Sequence, residues 1–175
     1  QAFPKNKRAL QGLAALNIPK QPAATQSPPQ DAINQLIQLY NQGHLAIVVE
    51  QAQALTEQYP EAFIIWNILG AANKGLGRVQ AASEAFKKVT DLNQAYADGF
   101  NNLGASLQDQ GNLEEAIASF NKAVSLKPDY ADAYYNMGNA LKVQGKLDEA
   151  IASFNKVISL KPDYADAYYN MGNAL

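Results

Sequence analysis

PDYADAYYNMGNAL stands at residues 128–141 and again at 162–175, and the two copies lie 34 residues apart. The likeness extends beyond the string: residues 113–141 and 147–175 differ only at Glu114/Asp148, Ala123/Val157 and Val124/Ile158. All three exchanges are conservative, so one packing environment is used twice. Self-similarity at a period of this size marks a solenoid, in which each short unit buries its apolar face against its neighbours. Such an array presents an extended surface rather than a pocket. The functional question is therefore what that surface grips.

Framing residues 131–164 as one unit puts Tyr134, Met137, Gly138 and Leu141 in its first half and Ala150, Phe154, Val157 and Pro162 in its second. Residues 97–130 place Phe100, Leu103, Gly104, Leu107, Ala116, Phe120, Ala123 and Pro128 at the same positions. Residues 63–96 supply Trp66, Leu69, Gly70, Ala82, Phe86 and Val89, with Asn73 where the others have Leu and Gln94 where they have Pro. Residues 29–62 match more loosely, with Leu36 and Val48 in place of the small residues, and 165–175 form the first half of another unit. Spacings of i, i+3, i+4 and i+7 within each half are helical, so each unit holds two amphipathic helices of about three turns.

The punctuation agrees with that division. Gly111 and Gly145 follow the first helix, where a left-handed residue closes the end. Glu114-Glu115 and Asp148-Glu149 open the second helix and complement its dipole. Lys-Pro at 127–128 and 161–162 stops it, because proline lacks an amide donor and restricts its predecessor. Asp129 and Asp163 fall where an N-cap belongs, with Asp132 and Asp166 three residues on, as in a capping box. Gly138 and Ala150 are expected where the two helices cross, with Tyr134, Leu141 and Phe154 filling the space on either side.

Trp66-Asn67-Ile68-Leu69-Gly70 followed by Ala82 and Phe86, and more fully Tyr134, Gly138, Leu141, Ala150, Phe154 and Pro162, resemble the tetratricopeptide repeat. The resemblance covers residues 29–175 and implies an all-α, right-handed superhelix of antiparallel helix pairs whose first helices line the concave side. Leu36 and Val48 depart from the pattern, as suits an atypical end repeat with its own helix spacing. Residues 18–28 read as a proline-rich linker. Residues 1–17 include a helix-competent stretch with Leu10, Leu13 and Leu16 along one side, read as a partial repeat or as an amphipathic helix docking elsewhere.

At about 100° per residue, unit positions 2, 5, 6, 9, 12 and 13 share roughly a third of a helix's circumference. They name the lining of the concave groove. In the unit at 131 they are Asp132, Tyr135, Asn136, Asn139, Lys142 and Val143, and in the unit at 97 they include Asp98, Asn101 and Asn102 with Asp109. Asn67 lies there in the unit at 63, and Asp166, Tyr169, Asn170 and Asn173 in the last half-unit.

Asn102, Asn136 and Asn170 recur at one position, a ladder that admits two compatible readings. Each amide offers a donor and an acceptor and so can pair with one peptide unit of an extended ligand. This is similar to the asparagine ladder in the repeat arm of O-linked N-acetylglucosamine transferases. Alternatively the amides bond to neighbouring helix backbone and hold the superhelix together. Asp98, Asp132 and Asp166 are likewise helix-start residues or a mildly acidic lining that favours basic or neutral segments. Tyr135 and Tyr169 add flat contact with a hydroxyl handle. Tetratricopeptide domains that clamp a carboxylate terminus use Lys and Arg on this face, and the clear repeats lack them.

Composition narrows the classes further. Net charge is −2 and the 14 basic residues are scattered, so no nucleic-acid footprint is present. Cysteine is absent, removing disulfides, a thiol nucleophile and thiolate metal ligands. No apolar run reaches the length of a membrane span, and no secretory leader opens the chain, so a soluble cytoplasmic protein with no membrane partner is expected. His44 stands alone at an inter-helix turn and has no companion to share a metal. The adjacent carboxylates point about 100° apart on a helix and cannot work as a pair. Gly75-Leu76-Gly77 lacks the lysine of a phosphate loop.

The expectation is a non-enzymatic protein-interaction module without cofactor or metal, gripping an extended peptide or a partner helix. Two alternatives stand beside it. One is the substrate-recruiting arm of a larger glycosyltransferase, sulfotransferase or methyltransferase, since similar near-identical repeats precede such domains. The other is self-association into a homo-oligomer through the final helix, where Tyr168, Met171 and Leu175 lack a partner helix.

Overall fold

Helices open at Phe63, Ala97, Ala131 and Ala165, one unit length apart. The computed structural model describes residues 27–174, and nine helices and no strand occur among the described residues. They are α1 (Gln30–Asn41), α2 (Leu45–Gln58), α3 (Phe63–Gly75), α4 (Val79–Leu92), α5 (Ala97–Asp109), α6 (Leu113–Leu126), α7 (Ala131–Val143), α8 (Leu147–Leu160) and α9 (Ala165–Gly172). From Phe63 onward each odd-numbered helix starts on the first residue of its unit. Residues 1–17, most of the proline-rich stretch 18–28, and Leu175 lie outside the described residues.

The first helices of the four complete units, α1, α3, α5 and α7, end in the same way. Gly43, Gly77, Gly111 and Gly145 adopt φ of 76, 72, 80 and 77°, and no other residue type has positive φ among the described residues. Each glycine N–H returns to a carbonyl of the last turn, and the next N–H reaches one residue further back, as Lys146 does to Leu141 at 3.0 Å. This double closure satisfies the helix's orphan carbonyls and turns the chain tightly.

The entries into the first helices differ from expectation. The capping positions are Tyr130 and Tyr164, not Asp129 and Asp163, and no side chain bonds there. Tyr130 N–H donates to the Lys127 carbonyl at 3.1 Å, and the Asp129 carbonyl accepts from Ala131 at 3.0 Å. Asp129 is therefore consumed in the turn that follows Lys-Pro. Asp98, Asp132 and Asp166 do lie in the first helical turn, where the dipole favours a carboxylate.

A glycine and a ring settle how each pair closes. A Cβ added at Gly70, Gly104 or Gly138 would lie 2.7 Å from the ring of Phe86, Phe120 or Phe154. Those rings are at most 1% exposed. The glycine thus admits a phenylalanine from the second helix, whereas Ala82, Ala116 and Ala150 lie buried beside it. In the first pair Leu36 and Val48 take the small positions and Ala52 takes the ring's, all 0% exposed. α1 and α2 approach over less of their length than later pairs do. Asn73, standing for leucine, is buried with its amide donating to the Leu69 carbonyl at 3.1 Å.

Each helix packs on the next, and α1 touches α3 as α5 touches α7. The core is consequently strung along the array, with one apolar cluster spanning α1–α4 and others centred on α6–α9. The odd-numbered helices form one continuous inner face.

Candidate functional site

The asparagine ladder lies across the junctions between units. Asn102 Nδ2 donates to Asn67 Oδ1 at 3.3 Å, Asn136 Nδ2 to Asn101 Oδ1 at 3.0 Å, and Asn170 Nδ2 to the Tyr135 hydroxyl at 3.0 Å. Each rung ties its helix to the side chain one place earlier in the preceding unit. Among the described residues no rung bonds to the backbone of a neighbouring helix; Asn170 also donates to the Asp166 carbonyl of its own helix, 3.0 Å away. Asn101 is 9% exposed, so it supports its neighbour more than it faces solvent. Asn102 and Asn136 are half-buried, and each retains its carbonyl oxygen and one N–H without a bond among the described residues. That residual edge is complementary to a peptide group. The Asn170 oxygen accepts from the Lys142 ammonium instead.

Tyr135 is held between two tilted rings, its centroid 5.1 Å from Tyr164 and 6.1 Å from Phe154. Tyr169 is 72% exposed. Asn139 is half-buried and Asn173 exposed on the same side, and Val143 beside them is 66% exposed.

The acidic row is partly neutralised. Asp132 pairs with Lys161 at 2.9 Å, and Lys161 sits 5.6 Å from the centroid of Tyr164. The Asp132 carboxylate in turn holds the Lys161 ammonium above its ordinary value. Asp109 pairs with Lys74 of the preceding unit at 3.2 Å. Both pairs are solvent-exposed, so water and salt screen them. Asp98 lies beside phenols: burial first, then the Asp98 carboxylate, pushes Tyr130 and Tyr96 upward. Burial followed by Asp132 does the same to Tyr164. Asp166 is exposed.

One part of the inner face escaped the sequence reading. In α1, positions 9 and 12 are Ile37 and Tyr40, 43% and 38% exposed, with Ile33 and Ile64 partly buried alongside. The same positional rule reaches them once residues 29–62 are framed as a unit. Two clefts open elsewhere, on the second-helix side. One of about 620 Å³ between α2 and α4 is lined by Thr56, Trp66, Leu69, Asn73, Ala85 and Lys88. The other, about 400 Å³, lies between α4 and α6 over Leu103 and Leu107. No predicted site residue lines either.

At the last helix Tyr168 is 47% exposed and Met171 packs on the cluster of α6–α8. Gly172 meets no atom within 4 Å, where Gly138 meets a phenylalanine. Among the described residues no group of three or more acidic, His or Cys side chains could hold a metal ion. No described helix is long and apolar enough to cross a membrane.

Comparison with known proteins agrees with this geometry. A family described as TPR repeat matches residues 106–145 and 138–175, and one described as tetratricopeptide repeat matches 33–99. Among solved structures the chain is similar to that of MamA, with 27% identity and a TM-score of 0.76 over 78% of this chain and 80% of that one. It is also similar to YrrB, titled a TPR protein with an unusual peptide-binding site, at 24% identity and TM-score 0.77 over 95% and 82%. The first TPR of Spaghetti (RPAP3), bound to the HSP90 peptide SRMEEVD, superposes at 21% identity and TM-score 0.63 over 64% and 89%. No curated protein matches.

Proposed function

The chain belongs to the tetratricopeptide repeat family, and from that premise we propose that it is a protein-interaction module holding an extended peptide or a partner helix along its concave groove. The observation that carries this is the unused amide edge of Asn102 and Asn136, repeated in register one unit apart on a half-buried surface. Each bond to a ligand's backbone contributes about 1 kcal/mol and reads no side chain. The rings of Tyr135 and Tyr169 add apolar contact. Asp98 and Asp166 on the same face disfavour an acidic tail of the SRMEEVD kind and favour neutral or basic segments.

The test is a peptide array probed with the wild-type chain, Asn136→Ala and Tyr135→Ala, with Asn155→Ala on the exposed outer face as control. Capture is expected to fall at least tenfold in the first two variants at unchanged helicity and to persist in the control. Capture retained by both groove variants would remove the groove from the function.

A further inference from the structure

The cleft of about 620 Å³ between α2 and α4 holds a polar group that the repeat does not call for. Asn73 lines it, at the place held by Leu39, Leu107 and Leu141 in the other complete units. It is 3% exposed. Its Nδ2 donates to the Leu69 carbonyl at 3.1 Å, and its oxygen and second N–H bond to nothing among the described residues. Leucine would fill the same place without desolvating half an amide, so asparagine costs stability unless something bonds there.

Trp66 lines the same cleft. Its indole N–H is taken by the Pro60 carbonyl at 2.9 Å, so the ring offers apolar surface and no free donor. One unit on, the matching place is closed: Lys122 lies 6.0 Å from the Phe100 centroid, and Leu107 replaces the amide. Lys88, the counterpart of Lys122, lines the cleft but lies over no ring among the described residues. Leu69 and Ala85 add apolar wall, and Glu57 and Glu84 against Lys88 leave one negative charge in excess.

We propose that this cleft binds a small neutral aromatic carboxamide. The ligand's N–H donates to Asn73 Oδ1, its carbonyl accepts from the free Asn73 N–H, and its ring rests on Trp66. Two amides paired edge to edge satisfy both groups that Asn73 leaves open. The volume falls within the range of small-molecule sites, about 300–1,000 Å³, where a few polar groups orient a ligand among apolar walls. The excess negative charge turns away the corresponding carboxylic acid. The seat lies on the second-helix side and does not depend on the concave groove.

Trp66 is the chain's only tryptophan, so its emission reports the cleft directly. The experiment titrates the full chain with benzamide, with acetophenone, which keeps ring and carbonyl but has no N–H, and with benzoate. Benzamide is expected to change the emission saturably, with a roughly millimolar dissociation constant that suits a ligand of its size. It should bind about tenfold more tightly than acetophenone or benzoate. Saturation-transfer NMR on the same samples removes any dependence on the indole's response. Asn73→Leu should reduce benzamide to the affinity of acetophenone. Leucine already occupies that place in the neighbouring units, so this variant keeps its helicity and should melt at a higher temperature.

No saturable response to benzamide by either readout overturns the site. Equal affinity for benzamide and acetophenone, or binding unchanged in Asn73→Leu, overturns the amide pairing. Weaker binding in Asn136→Ala would place the ligand in the groove. Tighter binding of the peptide Gly-Gln-Gly than of benzamide would assign the cleft to a partner's glutamine side chain. Either result overturns a small-molecule seat at this place.

Discussion

In the first helix pair the large side chain at the crossing belongs to the first helix and the small one to the second, Leu36 and Ala52. In the three pairs that follow, the order is reversed, with Gly70, Gly104 and Gly138 against Phe86, Phe120 and Phe154. The two regions reach one architecture by opposite allocations of volume. Close packing demands only that large meet small across the interface. The junctions differ in the same spirit. Asn67 and Asn102 bond where units two and three meet, whereas Ile33 and Ile68 occupy the corresponding places between units one and two and join the apolar cluster.

The largest expected effect comes from swapping one solution for the other. Phe120→Ala should cost about 4 kcal/mol through lost burial and a cavity. Gly104→Leu should cost about 3 kcal/mol, because even its Cβ would strike the Phe120 ring. Together they recreate the allocation of the first pair, and the double variant should be at least 2 kcal/mol more stable than the sum predicts. Urea denaturation of the four proteins measures the coupling, and strict additivity would break the comparison.

A second experiment sharpens it by locating where the regions are alike. Gly43→Ala and Gly145→Ala should each cost about 1–2 kcal/mol, since both glycines adopt the same left-handed turn. Unequal costs in thermal melts would show that the turns, not only the crossings, distinguish the units.

The smallest effect concerns pH. The place held by Tyr96, Tyr130 and Tyr164 in later units is Ala62 in the first. Tyr130's phenol is raised in the folded state by burial and by Asp98. The fold thus favours the protonated phenol. Its contribution is complete below pH about 10, the ordinary phenol value, and is lost as pH rises above it. Stability measured from neutral to alkaline pH should fall less steeply in Tyr130→Phe, and an unchanged slope would discount the phenol.

Local signals were legible and distant pairings were not. Gly111 and Gly145 announced their turns because only a residue without Cβ accepts that backbone cheaply. The aspartates at 129 and 163 misled for an equally local reason: an N-cap residue needs its side chain for the helix, and the Lys-Pro turn displaces the helix start by one residue. The ladder's position was legible from periodicity, but its partners at Asn67, Asn101 and Tyr135 depend on how closely successive first helices approach, which no single unit encodes. Lys161 on Asp132 was hidden likewise, as the two stand 29 residues apart at opposite ends of one unit. Ile37 and Tyr40 were within reach of the positional rule, and the weak match of residues 29–62 concealed them.

The near-identity of residues 113–141 and 147–175 also bears on how the chain finds its register. α7 and α9 open with the same ADAYYNMG, so either can dock on α6. A chain that skips residues 131–164 keeps the same kind of interface and loses little to loop closure, whose cost grows only slowly with length. During synthesis α7 emerges first and claims the site, so vectorial folding selects the correct pairing. Refolding from denaturant begins without that order. We expect it to show a slow phase by circular dichroism in which misregistered molecules unpair, and refolding in a single fast phase would exclude the competition.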